Sequence, residues 1–295
     1  MKIAAVIVNY NAKAFIQDCV ASIQKQTRPL DRIIVVDNAS TDGSLDALRA
    51  VAGIELILNT TNIGFAPANN QAVDLVRDSH VLCCNADLVL EPTFLERCLR
   101  AIDGDQATGM ITGKILRFDR RTIDSTGQFL SASRWPKERG YGEINRGQYD
   151  RDGPVFSVCA ACALYRREMI DQISDERGFF DRRYFAFYED LDVGWRAQRA
   201  GWGGAYVHDA VAYHFRGGVS GAGRFSFTRK SPEIRFHVLK NRYLTISKND
   251  RPLSFILHLP AIIARDAVLL GYTALTTPAV LWRLARYFGG GQHRT

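Results

Sequence analysis

Ile3-Ala4-Ala5-Val6-Ile7-Val8-Asn9-Tyr10-Asn11 is the stretch that decides the fold. Apolar, largely β-branched residues run without a polar break and stop abruptly at Asn9. Such a run is a strand buried on both faces, as in a parallel sheet covered by helices. Helical spacing follows: Phe15, Ile16, Cys19, Val20 and Ile23 fall on one helix face. The alternation then repeats. Ile33-Ile34-Val35-Val36 is a second buried strand. Leu45, Leu48 and Val51 or Ala52 mark a helix that opens in the turn Ser40-Thr41-Asp42-Gly43-Ser44. Residues 54–58 give a third strand, 68–77 a helix and 80–84 a fourth strand. Pro92 opens a further helix that turns Phe94, Leu95, Cys98 and Ile102 inward. This order predicts an α/β fold with a mainly parallel sheet flanked by helices.

In such sheets ligands bind beyond the carboxyl ends of the strands. The residues standing there are Asn9-Tyr10-Asn11, Asp37-Asn38, Asn62 and Asn85-Ala86-Asp87. Any one of them reads equally well as a turn or helix cap. Four successive strands ending this way favour a shared polar site. Further along, 110–115 reads as a strand, 134–152 as a mobile Gly- and charge-rich loop, and 156–165 as another apolar strand. Leu191 and Trp195 place a helix from about Glu189 to before Gly201. Two short strands, 205–207 and 210–213, end at His214.

The 295 residues, 46% of them hydrophobic and 23% charged, fit one large or two modest globular domains and exclude a disordered or polytopic membrane chain. The net charge of +7 is unevenly placed. Residues 229–295 hold eleven Lys and Arg against three acids, so the basic excess lies wholly in the last quarter. No signal peptide is expected at the start, so the six cysteines are expected to be reduced. Cys159 and Cys162 have half the spacing of a zinc site but no second pair, and read as small core residues.

Three constellations carry chemistry. Asp87 after a buried strand can hold a hard divalent cation, Mg²⁺ or Mn²⁺, which offsets charge on a departing diphosphate. Glu189, Asp190 and Asp192 crowd one helix start, where the dipole favours ionised carboxylate and an open site lets one take a proton. Asp192 is accounted for by Arg196 one turn on. His214, followed by Arg216-Gly217-Gly218-Val219-Ser220-Gly221, suits a phosphate or a metal.

These motifs, in this order, resemble family 2 glycosyltransferases of the GT-A fold, in particular the rhamnosyltransferase-like branch. The stretches are Val6 to Asn11, Val35 to Ser44, Asn62-Ile63-Gly64-Phe65-Ala66-Pro67-Ala68-Asn69-Asn70, Asn85-Ala86-Asp87, Phe187 to Asp192, and His214. The likeness covers about residues 1–245. It implies a donor site in which Asn9, Asp37 and Asn38 hold the base and ribose of a nucleotide sugar. Tyr10, Asn11, Ser40, Asn62, Gly64, Phe65, Asn69 and Asn85 would line it. Asp87 and His214 would bind the metal. Asp190 would be the base of an inverting transfer, with Glu189, Trp195 and Arg216 on the acceptor side. The chain departs from many relatives in having one carboxylate in Asn85-Ala86-Asp87, and Asn38 where a second Asp is common. The latter is similar to members using dTDP-rhamnose, which implies L-rhamnose as the sugar, with a UDP- or GDP-sugar as the alternative.

The division expected is a catalytic domain at 1–228, with a donor half to about 115 and an acceptor half beyond, and a helical extension at 229–295. The extension is basic and apolar, and reads as an amphipathic segment on a membrane surface, or as packing or homodimer contact. The expected setting is the cytoplasmic face of the plasma membrane, with a glycan or polyprenyl-linked glycan as acceptor. A nucleic-acid binder is disfavoured, since the tail is too apolar and lacks a reading motif. A nucleotidylyltransferase is disfavoured too, because no Gly-rich, Arg-containing loop follows Val8. An inactive nucleotide-sugar-binding scaffold on the same fold is the other alternative.

Overall fold

The computed structural model describes residues 2–216 and 227–290; the expected glycine run at 217–221 lies outside them. The alternation begins as the sequence predicts, with β1 (Ile3–Asn9), α1 (Ile16–Gln24), β2 (Arg32–Asp37), α2 (Ser44–Arg49), β3 (Glu55–Leu58), α3 (Phe65–Val73) and β4 (His80–Asn85). Next come β5 (Leu88–Leu90), α4 (Phe94–Gly104), β6 (Thr108–Arg117), β7 (Ile123–Ser125), β8 (Gln128–Leu130), β9 (Pro136–Glu138), β10 (Gly153–Val155) and β11 (Cys162–Arg166). The chain continues through α5 (Arg167–Ile173), α6 (Glu189–Arg199), β12 (Gly203–His214), α7 (Pro232–Asn249), α8 (Pro252–Thr276) and α9 (Pro278–Gly289).

The main sheet runs β10-β12-β6-β11-β4-β1-β2-β3, with β5 and β7 attached to β12 and β6. β3, β2, β1 and β4 are mutually parallel, and β6 and β12 pair in parallel. β11 is antiparallel to both of its neighbours, and β10 to β12. The sheet is therefore mixed, with four parallel and five antiparallel pairings among the described residues; the parallel character expected from the sequence holds for β1 to β4, and β5, β7, β10 and β11 add antiparallel pairings beyond it. The uninterrupted apolar run of β1 serves two cores. Ala4 and Val6 join the cluster under α3, α6 and α7, and Ile3, Ala5 and Ile7 the one under α1 and α4. Period-two alternation makes both faces of one strand apolar.

Four local expectations shift. α3 starts three residues early, because Gly64 takes φ +93° and Pro67 falls in the first turn, where its missing N–H leaves no bond unmade. Only Cys162–Arg166 of the expected strand at 156–165 is a strand. The residues before it curve against α6, where Gly194 permits the approach: a Cβ there would meet Ser157 Oγ at 2.2 Å. The two short strands before His214 are one, β12, with a register shift between Val207 and Val211. The expected loop at 134–152 contains β9, paired with β8, and buries Arg134 in an ion pair with Asp250.

α7 begins at residue 232, just past the expected 228/229 boundary, yet is deeply embedded. Arg242 is fully buried, donating to the Ser133 and Arg134 carbonyls and to Asp266. Asn249 and Lys248 bond Asp192 of α6. α8 differs: Leu253, Ile256, Leu257, Val268 and Leu275 are all exposed. It is long and apolar enough to cross a membrane by length and composition.

Candidate active site

The donor-side expectation falls on three adjacent strand ends. Asn9 stands opposite Asp37 across β1 and β2, and Val8 opposite Asn85 across β1 and β4. Asn9 is fully buried and its Nδ2 donates to Asp37 Oδ1 (2.7 Å) and Ser44 Oγ (2.9 Å). The second Asp37 oxygen accepts the Ser40 N–H at 3.1 Å. Asn11, at φ +52°, accepts the Thr41 N–H on Oδ1 (2.8 Å) and donates its own N–H to Ser40 Oγ (3.0 Å). Asn38 Oδ1 accepts from Ile63 N and Asn59 Nδ2, both at 3.1 Å, and its Nδ2 donates to Asn62 Oδ1 at 2.8 Å. Asn62 in turn accepts the Gly64 N–H, and Asn69 donates to the Phe65 carbonyl. Asn9 and Asn38 thus stitch the loops of the rim together, and Asn69 braces the first turn of α3. Tyr10 and Asn11 are the exposed residues of that rim, with Ser40, Asn62, Phe65 and Asn85 partly so.

One corner of the site is ionic. His214, at the end of β12, lies 3.2 Å from Asp87 Oδ1 through Nε2 and 2.8 Å from Asp124 Oδ2 through Nδ1. Burial pulls the imidazole pKa down, but hydrogen bonds and charge from the two carboxylates outweigh it and hold it at about 9. Burial would lift the Asp124 carboxyl, yet His214 and Arg216 keep it below its ordinary range. Arg216 pairs with Asp124 and stacks on Tyr141, 4.8 Å from the ring centre. A hard cation fits this corner: Asp87 offers a carboxylate oxygen, and Asp124 fixes His214 through Nδ1, leaving Nε2 as the ligand nitrogen. A second group, Glu138, Cys159 and Asp190, has ligand atoms within 4.8 Å of one another. Burial pushes the Cys159 thiol well up, so it keeps its proton and suits a hard cation poorly.

The acids meet a cavity of about 570 Å³. Phe187 and Tyr188 both take left-handed backbone angles, φ +70° and +72°, and this tight turn launches α6. Strained backbone of this kind costs energy and persists only when neighbours hold it. α7 does so: Asn241 Nδ2 donates to the Ala186 (2.8 Å) and Phe187 (2.7 Å) carbonyls. The rim joins in, since the Phe65 N–H donates to the Phe185 carbonyl at 2.7 Å. Asp190 Oδ1 accepts the Leu191 N–H at 2.8 Å, and Oδ2 accepts Gln128 Nε2 at 2.7 Å and the Ala160 N–H at 3.4 Å. Burial raises the Asp190 carboxyl above the usual range. Burial, then the Asp190 charge, lifts Glu189 to about 8 and Glu138 to about 7.

Phe65, Asn85, Glu189, Asp190, His214 and Arg216 share this cavity. Trp195 lies elsewhere, beside Arg134 and Phe156 in a smaller groove, because i+5 on α6 turns it away from Asp190. Sequence reasoning missed Asp124, Gln128 and Glu138. They come from short strands β7 to β9 whose apolar pattern is weak. Cys159 was read as core and is partly exposed in the cavity; the other five thiols are buried.

The parallel β1 to β4 segment, the polar strand ends and the acidic cavity agree with a nucleotide-dependent transferase. A family model described as Glycosyl transferase family 2 matches residues 4–174, and the chain belongs to that family. It is 25% identical over 239 residues to an N-acetylglucosaminyl-diphospho-decaprenol L-rhamnosyltransferase of Mycobacterium tuberculosis, which covers 73% of this chain and 76% of that protein. The structure is similar to GalNAc-T7 with UDP, GalNAc and Mn²⁺ (TM-score 0.62, 13% identity), covering 84% of this chain and 48% of that one. It is also similar to mannosyltransferase PcManGT from Pyrobaculum calidifontis in complex with GDP-Man and Mn²⁺. There the TM-score is 0.59 at 17% identity, covering 99% of this chain and 81% of that one. The fold is GT-A, and the protein is a nucleotide-sugar-dependent glycosyltransferase.

Proposed function

We propose that the protein is an inverting transferase moving L-rhamnose from dTDP-rhamnose to a hydroxyl of a polyprenyl-linked glycan in cell-surface polysaccharide synthesis. The sugar and the acceptor class rest on the printed activity of the mycobacterial relative, and the dTDP nucleotide on the resemblance carried by Asn38. The observation that carries the mechanism is the cavity itself, which holds a carboxylate base at one side and a cationic His–Arg corner at the other. Asp190 takes the proton of the acceptor hydroxyl as that oxygen bonds to the anomeric carbon. The bond from that carbon to the diphosphate oxygen breaks, and the diphosphate leaves on the opposite face. Its charge is met by Arg216, and by the His214 imidazolium when no metal is bound. Asp87 and His214 would hold Mg²⁺ or Mn²⁺, which supplies further charge neutralisation when bound. The rim from Asn9 to Asn69, Asp37 included, would shape the pocket for base and ribose.

The exposed apolar face of α8, with Arg251 before it and Arg283 and Arg286 on α9, would lie on the cytoplasmic face of the plasma membrane beside such an acceptor. Vesicles containing anionic lipid should then pellet the protein, and Leu257→Asp should reduce the bound fraction. Concentration-dependent dimers with no vesicle binding would assign that face to a second copy instead. For the chemistry, Asp190→Asn should abolish transfer while nucleotide binding survives. Transfer at the parent rate would sink the assignment of the base.

A further inference from the structure

Gln128 projects from β8 between two carboxylates that the sequence separates by 52 positions. Its Nε2 donates to Asp190 Oδ2 and to Glu138 Oε1, each at 2.7 Å. The second Glu138 oxygen is held by the Ser125 hydroxyl. Gln128 Oε1 is buried with no hydrogen-bond partner among the described residues, so the amide is oriented by its two acceptors. Oxygen Oδ2 of Asp190 then has both acceptor positions filled, by Gln128 and by Ala160 N–H. Among the described residues Oδ1 accepts the Leu191 N–H and is the less committed of the two oxygens.

Given Asp190 as the base, we propose that Glu138 and Gln128 are its positioning pair. They fix Oδ2 and leave Oδ1 to receive the acceptor proton, and the Glu138 charge strengthens Asp190 as a base.

The electrostatics agree with the geometry. Glu138 and Asp190 lie in one buried pocket and share one amide, so each disfavours ionisation of the other. Glu189 on α6 faces Asp190 as well. Cys159 and Tyr165 lie near it from the strand side, each with its proton retained by burial. Asp124 faces Glu138 from β7. Lys137, Glu143, His214 and Arg216 line the same cavity. Among these only Glu138 is tied to Asp190 through a shared hydrogen-bond donor. β9 therefore belongs to the catalytic pocket through its last residue.

The test separates charge from position. Steady-state transfer is measured across pH for the parent, Glu138→Gln, Glu138→Asp and Gln128→Ala, with nucleotide affinity measured alongside. Glu138→Gln keeps the volume and the contact to Gln128 but removes the charge. Its acid limb in kcat should move to lower pH by at least half a pH unit, with kcat on the plateau reduced several-fold. Glu138→Asp should restore the position of that limb. Gln128→Ala should cut kcat at least ten-fold and leave nucleotide affinity unchanged. An acid limb that stays at the parent pH in Glu138→Gln overturns the electrostatic part. Parent kcat in Gln128→Ala overturns the positioning part, and does so even where Glu138→Gln fails to fold. If Asp190→Asn itself retains transfer, the fault lies with the base and not with this pair.

Discussion

The donor rim and the acid pocket are neighbours built in opposite ways. Rim side chains come from successive strand–helix units and bond mostly to one another: Asn9 to Asp37, Asn38 to Asn62, Asn69 to Phe65. The pocket is assembled from distant segments. Gln128 reaches Asp190, and Asn241 of α7 reaches the carbonyls at 186 and 187. The rim is a frame of mutually bonded amides, with Asn9 Oδ1 left buried and unbonded among the described residues, whereas the pocket keeps carboxyls pushed up in pKa and a strained turn. A rim of amides bonded to one another gives a fixed shape for a nucleotide. A pocket of acids raised in pKa by burial and mutual charge gives a reactive proton acceptor, at the cost of needing α7 to hold it.

That contrast can be broken most severely at Asn241. Asn241→Leu leaves two carbonyls at the strained turn without their donor, each lost bond costing about 1–3 kcal/mol. The α6 start should loosen, with kcat falling at least ten-fold and a lower melting temperature, while nucleotide affinity holds. Kinetics and calorimetry on one preparation would check this, and unchanged kcat would detach α7 from the site. At Asn38 the pattern should reverse. Asn38→Ala unties the Asn59, Asn62 and Ile63 contacts, so donor KM should rise more than kcat falls, with about 1–3 kcal/mol of stability lost in urea titrations.

A smaller effect sharpens the electrostatic side. Glu189 has its folded-state pKa raised to about 8 by burial and the Asp190 charge. Between its unfolded value of about 4.3 and that point, the folded state binds more protons than the unfolded one. Stability should therefore decline as pH rises through this window. Glu189→Gln should flatten that decline, which urea melts at pH 5, 6.5 and 8 would show. An equal slope in both proteins would mean that Glu189 ionises freely in the folded state.

The same contrast explains what could be read in the sequence. The β1 to β4 alternation was legible because each strand is a β-branched run ended by a polar residue. Asp190 and Glu189 were legible because they open a helix after an aromatic run. Gln128 and Glu138 were not, since β8 and β9 are three residues each and become strands only by pairing with one another. Asp124 was hidden for a related reason: its burial depends on His214, 90 positions away. α7 was read with the basic tail, yet its charges are spent inward, Arg242 on Asp266 and Lys248 on Asp181 and Asp192. Charge counted along a sequence does not reveal which partners a fold brings to it. Trp195 shows the reverse error, a nearby residue that helix geometry turns away.

The most direct test is a calorimetric titration of dTDP, with Mn²⁺ present, into the parent, Asn38→Ala and Asp190→Asn proteins. The rim-and-pocket account predicts parent affinity in Asp190→Asn, although that protein transfers no sugar, and weakened binding in Asn38→Ala. Lost binding in Asp190→Asn together with parent affinity in Asn38→Ala would contradict it, placing the nucleotide in the acid pocket and not on the rim.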